Sequence, residues 1–243
     1  MISPTDLAGL GGTALTLATL SLLSVQKVAR SLSGAEKSER ALPRSAQENT
    51  FFTARLSLLS AFFVLFLLPW ARISSLDYLP LAAYVRGVVG DLSLPSLLLF
   101  ARLAWFALVS PDRKKALFGE KNSAVLVGLI LAAAILLYPM ALGLTADDPY
   151  RWGYASPWFL LALLCLSLLG IRFRQAMLVW AINLSLLAWM LACYESSNLW
   201  DYLIDPVLVL CALGSLLQRG LLCARASKRQ RLTKKAKQTR HIA

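Results

Sequence analysis

Seven apolar runs, 7–26, 51–71, 92–110, 122–144, 155–171, 176–194 and 203–219, are separated by short segments that hold most of the charge. Each run is close to the roughly 20 residues that a helix needs to cross about 30 Å of hydrocarbon. None alternates apolar and polar residues at the two-residue period of a barrel strand, and backbone polar groups in lipid must bond within their own segment or within a closed barrel. The pattern predicts an all-α fold, a polytopic transmembrane helical bundle of about seven spans over residues 1–226. The tail, 227–243, has almost no apolar residues to bury and is expected to be disordered.

Local signals support several of these runs. Ser156-Pro157 and Asp205-Pro206 each place a capping side chain before a proline, whose missing N–H costs nothing in a first turn. Asn122-Ser123 is a further capping pair. The stretch 78–91 holds Pro80, Gly87, Gly90, Arg86 and Asp91, which suit a helix lying at the interface before the third span better than a span. GLGGTALTLATLS, residues 9–21, is rich in small residues that let helix backbones approach closely, so the first span is expected to pack against a neighbour. Asp6, in place of a basic segment, precedes that run, which therefore reads as a retained span.

Composition agrees with the pattern. Hydrophobic residues make up 58% of the 243 and charged residues 16%, with a mean hydropathy of +0.61, too apolar for a water-soluble domain of this length. The net charge of +12 is spread unevenly. Loop 27–50 carries Lys27, Arg30, Lys37, Arg40 and Arg44, loop 111–121 carries Arg113, Lys114, Lys115 and Lys121, and Arg172 and Arg174 follow the fifth run. The C-terminal segment adds nine more lysines and arginines from Arg219 to Arg240. The intervening segments hold Arg72, Arg86 and Arg151 against Asp77, Asp91, Asp147, Asp148, Glu195, Asp201 and Asp205. Because cytoplasmic loops carry the excess of lysine and arginine, this alternation places the N-terminus outside and the C-terminus in the cytoplasm, as for a bacterial inner membrane. The tail, ASKRQRLTKKAKQTRHIA, lacks the interleaved aromatics that stack bases. It reads as an anchor on anionic headgroups or a contact for a cytoplasmic protein, with no nucleic-acid partner expected.

The chain's single histidine is His241, in the tail, which excludes histidine metal sites, Ser-His triads and Cys-His pairs within the bundle. No Gly-rich phosphate loop is present, and no cofactor or metal is expected. Cys165, Cys193, Cys211 and Cys223 include no pair on the outer side that a disulfide would join. The chemistry still open is that of the carboxylates on the acidic side, as general bases or oxygen ligands, although polar outer loops and helix caps also account for them.

Three places are candidates for binding. Arg86 and Asp91 lie near the outer interface, where they can pair with each other or with lipid phosphates. Arg102 lies about ten residues into its run, near the bilayer midplane, where an arginine costs about 2.5 to 3.5 kcal/mol to insert. It is expected to face inward, either in a polar contact between helices with Asn183 at similar depth accepting its hydrogen bonds, or lining a hydrated or lipid-headgroup cavity, with Trp105 or Phe106 near its cation. DDPYRWGYASPW, residues 147–158, presents Arg151 and Trp152 among turn residues, a composition suited to a glycan or lipid head as well as to an interfacial aromatic belt.

YVRGVVGDLSLPS, residues 84–96, with its Arg-Gly pair followed by Asp-Leu-Ser, resembles a short stretch in the membrane domains of lipoteichoic-acid-synthase-like phosphoglycerol transferases, relatives of alkaline phosphatase in the bacterial envelope. The resemblance implies a membrane module of envelope work without the large extracytoplasmic domain that carries those enzymes' Thr nucleophile and metal site. The favoured expectation is a non-catalytic polytopic membrane subunit or scaffold of a cell-envelope complex, contacting membrane lipids and other membrane protein subunits. A transporter or flippase for a lipid or small anionic solute, and an integral-membrane lipid-modifying enzyme, stay open as alternatives.

Overall fold

In the structure, a computed structural model describing residues 4–33, 44–68, 79–109, 123–143 and 148–240, every regular element is helical. The elements are α1 (Pro4–Ser33), α2 (Arg44–Leu67), α3 (Leu81–Val89), α4 (Leu94–Val109), α5 (Ser123–Ala141), a 3-10 turn (Pro149–Gly153), α6 (Pro157–Arg172), α7 (Ala176–Met190), α8 (Leu199–Leu203) and α9 (Pro206–Arg240). The short α3 falls within the stretch expected to form an interfacial helix. Loop 111–121, Arg72, Asp77 and Asp147 lie outside the described residues.

The seven apolar runs all become helices, but mostly shorter ones. Among the described residues one segment, Thr5–Ala29, is long and apolar enough to cross a membrane by length and composition. Phe51–Leu67, Leu94–Val109, Val125–Met140, Pro157–Arg172, Ala176–Met190 and Pro206–Leu221 are apolar helical segments of 10–17 residues. Chain reversals trim them. After α6, Arg174 takes a left-handed φ of 54° while the amide of Gln175 reaches back to the carbonyl of Gly170 at 2.7 Å. After α7, Ala192 does the same at 48°, and the amide of Cys193 reaches Ala188 at 3.0 Å. This six-to-one bond is a Schellman closure, and it ends both helices sharply.

Where disorder was expected in the tail, the described helix α9 continues to Arg240. Residues 227–240 contain no Gly or Pro and are mostly Lys, Arg and Gln, so a helix already nucleated by the apolar segment propagates through them at little cost. The prolines also leave the helices unbroken. Pro95 and Pro206 sit in first turns and Pro139 in the last turn of α5, where an absent N–H or a terminal kink is tolerated.

Helix α1 packs against α2, α3 and α4. Its small residues Ala14, Ala18, Thr13 and Thr19 are buried there, as the run at 9–21 led one to expect. The threonine hydroxyls return to their own helix, Thr13 to the Gly9 carbonyl at 2.9 Å and Thr19 to that of Leu15 at 2.8 Å, so neither of these buried hydroxyls is stranded. Helix α4 is central, touching α1, α2, α7, α8 and α9. The main core gathers Leu99 of α4, Leu126 and Ile130 of α5, Leu163 of α6, Leu178 and Ile182 of α7, and Tyr202 and Leu208 from the last two helices. At one end of the bundle, Gln26 and Arg55 donate to the last carbonyls of α4, Ala107 and Leu108, at 3.1 Å each. The opposite end holds the polar cluster described next.

Candidate functional site

Five acidic residues from separate segments meet at that opposite end. Helix α3 closes on Gly90, whose φ of +82° suits glycine and whose N–H bonds the Arg86 carbonyl. The turn brings Asp91 back onto Arg86, giving a forked pair: Nε to Oδ1 at 2.6 Å and Nη2 to Oδ2 at 3.2 Å. Nη1 donates to Asp6 of α1 at 2.8 Å, and Glu195 lies 3.9 Å from Nη2. A Cβ on Gly9 would collide with both Asp91 and Arg86, so glycine there lets the ion pair lie against the α1 backbone. The hydrogen bond to Asp91, reinforced by Asp6 and opposed by partial burial, raises the Arg86 pKa further above its ordinary value.

Asp205 is a second junction. It is 4% exposed and its Oδ1 accepts the Leu208 amide at 2.8 Å, capping α9 as its place before Pro206 implies. Its Oδ2 accepts the Ser93 amide at 2.9 Å and the hydroxyls of Ser93 and Ser96 at 2.5 Å each. One carboxylate thus ties the start of α9 to the start of α4. Nearby, Asp201 accepts from Tyr150 at 2.8 Å and from Ser196 at 2.5 Å. Burial, and then the bond to this carboxylate, push the Tyr150 phenol well above the usual tyrosine range.

Aromatic and amide groups close the layer. Tyr194 donates to the Leu92 carbonyl at 2.7 Å and stacks on Tyr202 with centroids 4.9 Å apart. Fully buried Asn198 accepts the Trp200 amide and donates to the Tyr150 carbonyl, both at 2.9 Å, while the Trp200 indole donates to Pro149 at 3.0 Å. A Cβ on Gly153 would run into Asn198, so the 3-10 turn needs glycine there.

Two cavities open among these groups. One, of about 530 Å³, is lined by Asp6, Leu10, Arg86, Asp91 and Glu195 together with the α3 backbone region. The other, of about 280 Å³, is lined by Asp91, Tyr194, Ser196, Asp201 and Asp205. Among the described residues no group of three or more His, Cys, Asp or Glu is placed to hold a metal ion.

The residues singled out from sequence therefore separate. Arg86 and Asp91 come together. Arg151 and Trp152 are exposed on the 3-10 turn, outside both cavities. Arg102 is half-buried on α4, with its guanidinium carbon 5.2 Å from the centroid of the Phe106 ring, whereas Trp105 is exposed. The expected Arg102–Asn183 contact is replaced. Asn183 donates to Ser167 Oγ at 2.7 Å and to the Val179 carbonyl at 2.8 Å, because the tight α6–α7 reversal sets its amide against α6. Asp6 and the serines of Asp205 were not singled out for these contacts, and no local motif marks them, since their partners lie 80 to 112 residues away. No family model, curated protein or solved structure matches the chain.

Proposed function

We propose that this chain is a seven-span protein of a bacterial inner membrane, N-terminus outside and C-terminus in the cytoplasm, acting as a non-catalytic subunit or scaffold of a cell-envelope complex. Its outer face, the end built around Arg86 and Asp205, contacts lipid or glycolipid headgroups. The observation that carries the non-catalytic reading is the use made of the carboxylates. Asp91 is forked onto Arg86, Asp205 accepts four hydrogen bonds, and Asp201 accepts two. A general base needs a lone pair aimed at substrate, and the carboxylate oxygens named here are engaged in contacts within the protein.

The membrane reading is supported by what the helices turn outward. Trp158, Leu164 and Leu168 on α6 and Trp180, Leu187 and Met190 on α7 are exposed, while polar side chains such as Asn198 and Asp205 are inside. Water disfavours so many exposed large apolar side chains, and hydrocarbon accepts them. The apolar helical segments of 10–17 residues fall at or below the lower limit for a span, and flanking basic or aromatic side chains that reach the interface make up the difference. The alternation of basic and acidic segments and the resemblance at 84–96 favour the envelope setting. A flippase would call for helices broken near the midplane, and the three prolines discussed above sit at helix ends.

The test has two parts. Reporter fusions at residues 48, 118 and 235 are expected to read cytoplasmic and one at 149 outside; a cytoplasmic signal at 149 overturns the topology. Mild detergent purification of the native protein, with mass spectrometry of what accompanies it, should recover stoichiometric membrane partners, and purification of a lone chain with turnover of its own overturns the scaffold role.

A further inference from the structure

We infer that the outer face holds one outer-leaflet phospholipid with an amine-bearing headgroup, of the phosphatidylethanolamine class, its headgroup in the Arg86 cavity and an acyl chain in the cleft beneath it. This deepens the proposed headgroup contact and rests on it. The cleft, about 630 Å³, runs between α1, α2, α4 and α7 and is lined by Gly11, Leu15, Leu59, Phe63, Leu97 and Ala101 among other residues. Its polar content is slight: among the described residues the lining is apolar apart from Ser60.

Placement joins the two spaces. On α1, Asp6 and Leu10 line the polar cavity and Gly11, Gly12 and Leu15 line the cleft; on the segment entering α4, Asp91 lines the first and Leu94, Leu97 and Leu98 the second. From Asp6 to Leu15 the helix rises about 14 Å at 1.5 Å per residue. That is close to half of the roughly 30 Å hydrocarbon core, the depth of one leaflet. A polar chamber above an apolar slot of that depth has the shape of a single lipid.

Charge selects the headgroup. Among the described residues the polar cavity sets three carboxylates, Asp6, Asp91 and Glu195, against one guanidinium. Arg86 is already committed to Asp91 and Asp6, and Glu195, 3.9 Å away, is beyond hydrogen-bond distance of it. An ammonium finds a carboxylate at Glu195, while the adjoining phosphate can use the guanidinium N–H groups that the two aspartates leave over, since arginine carries five. Phosphatidylglycerol brings the phosphate without the cation and meets net repulsion.

The full chain, purified in detergent, is to be offered equimolar phosphatidylethanolamine and phosphatidylglycerol and read by native mass spectrometry. The amine lipid should be retained in roughly tenfold preference, the ratio one charge-assisted hydrogen bond supports. Two variants accompany it. Gly11→Leu adds a side chain where a Cβ meets no atom within 4 Å, so it fills the cleft without strain and should abolish retention of both lipids. Glu195→Gln alters an exposed side chain and should cut the preference several-fold while the melting temperature stays put. Equal or greater retention of phosphatidylglycerol, or undiminished retention in a folded Gly11→Leu protein, overturns the inference. Lipid preference in detergent does not depend on orientation, so a cytoplasmic reporter signal at 149 defeats the proposed topology and leaves this measurement standing.

Discussion

Replacing Asp205 with Asn tests whether one carboxylate really joins α4 to α9. The substitution keeps shape and removes charge, so its effect follows from donor counting. Oδ1 takes a backbone amide from Leu208 and Oδ2 takes another from Ser93. An asparagine has a single oxygen, so either way round one of these N–H groups faces an NH₂. The Ser93 and Ser96 hydroxyls can turn to accept, but a backbone N–H cannot. A stranded buried donor costs about 1–3 kcal/mol, and the other bonds fall from charge-assisted to neutral strength, roughly half. Relief from burying a charge offsets part of this. The net loss is about 2–4 kcal/mol, and at roughly 2–4 °C per kcal/mol for a chain of this size the melt should fall by several degrees. Ser96→Ala removes one of four donors and should cost only about 1 kcal/mol. Tryptophan fluorescence melts of the full chain in one detergent, at one pH, would rank them, with Asp205→Ala the worst. An Asp205→Asn protein that melts with the wild type, or no lower than Ser96→Ala, would refute the reasoning.

Arg86→Lys keeps the charge but loses the fork onto Asp91, and should destabilise by about 1 kcal/mol; a cycle with Asp91→Asn should be clearly non-additive, and additivity would show that the pair contributes nothing. Tyr150→Phe removes the bond to Asp201, about 1 kcal/mol near neutral pH. Because the folded phenol titrates above the unfolded one, native Tyr150 holds its proton longer, so its stability contribution is full below about pH 10 and is lost as pH rises further. The alkaline fall in melting temperature should therefore be shallower in Tyr150→Phe, and an unchanged slope would count against the raised value. Arg102→Leu and Asn183→Leu should be additive within about 0.5 kcal/mol, whereas Asn183→Leu and Ser167→Ala should couple, since it is the latter pair that bonds.

What the sequence determined by itself was everything carried by short-range pattern. Apolar runs of helical length, the cap at Asp205-Pro206 and the small-residue face at 9–21 each depend on neighbours a few residues apart, and each is present in the fold. The Arg86–Asp91 pair was within reach for the same reason, being five residues apart across a glycine turn. Tertiary structure decided the partners. Charge and depth made Arg102 and Asn183 look like companions, but equal depth does not fix the angle around a helix axis, and the α6–α7 reversal had already given Asn183 to Ser167. Asp6 reaches Arg86 across 80 residues and Ser93 reaches Asp205 across 112, distances over which no local periodicity carries information. At the C-terminus, composition points to disorder because the segment has nothing to bury, while the described helix α9, begun in the apolar segment, runs on to Arg240 by continued propensity.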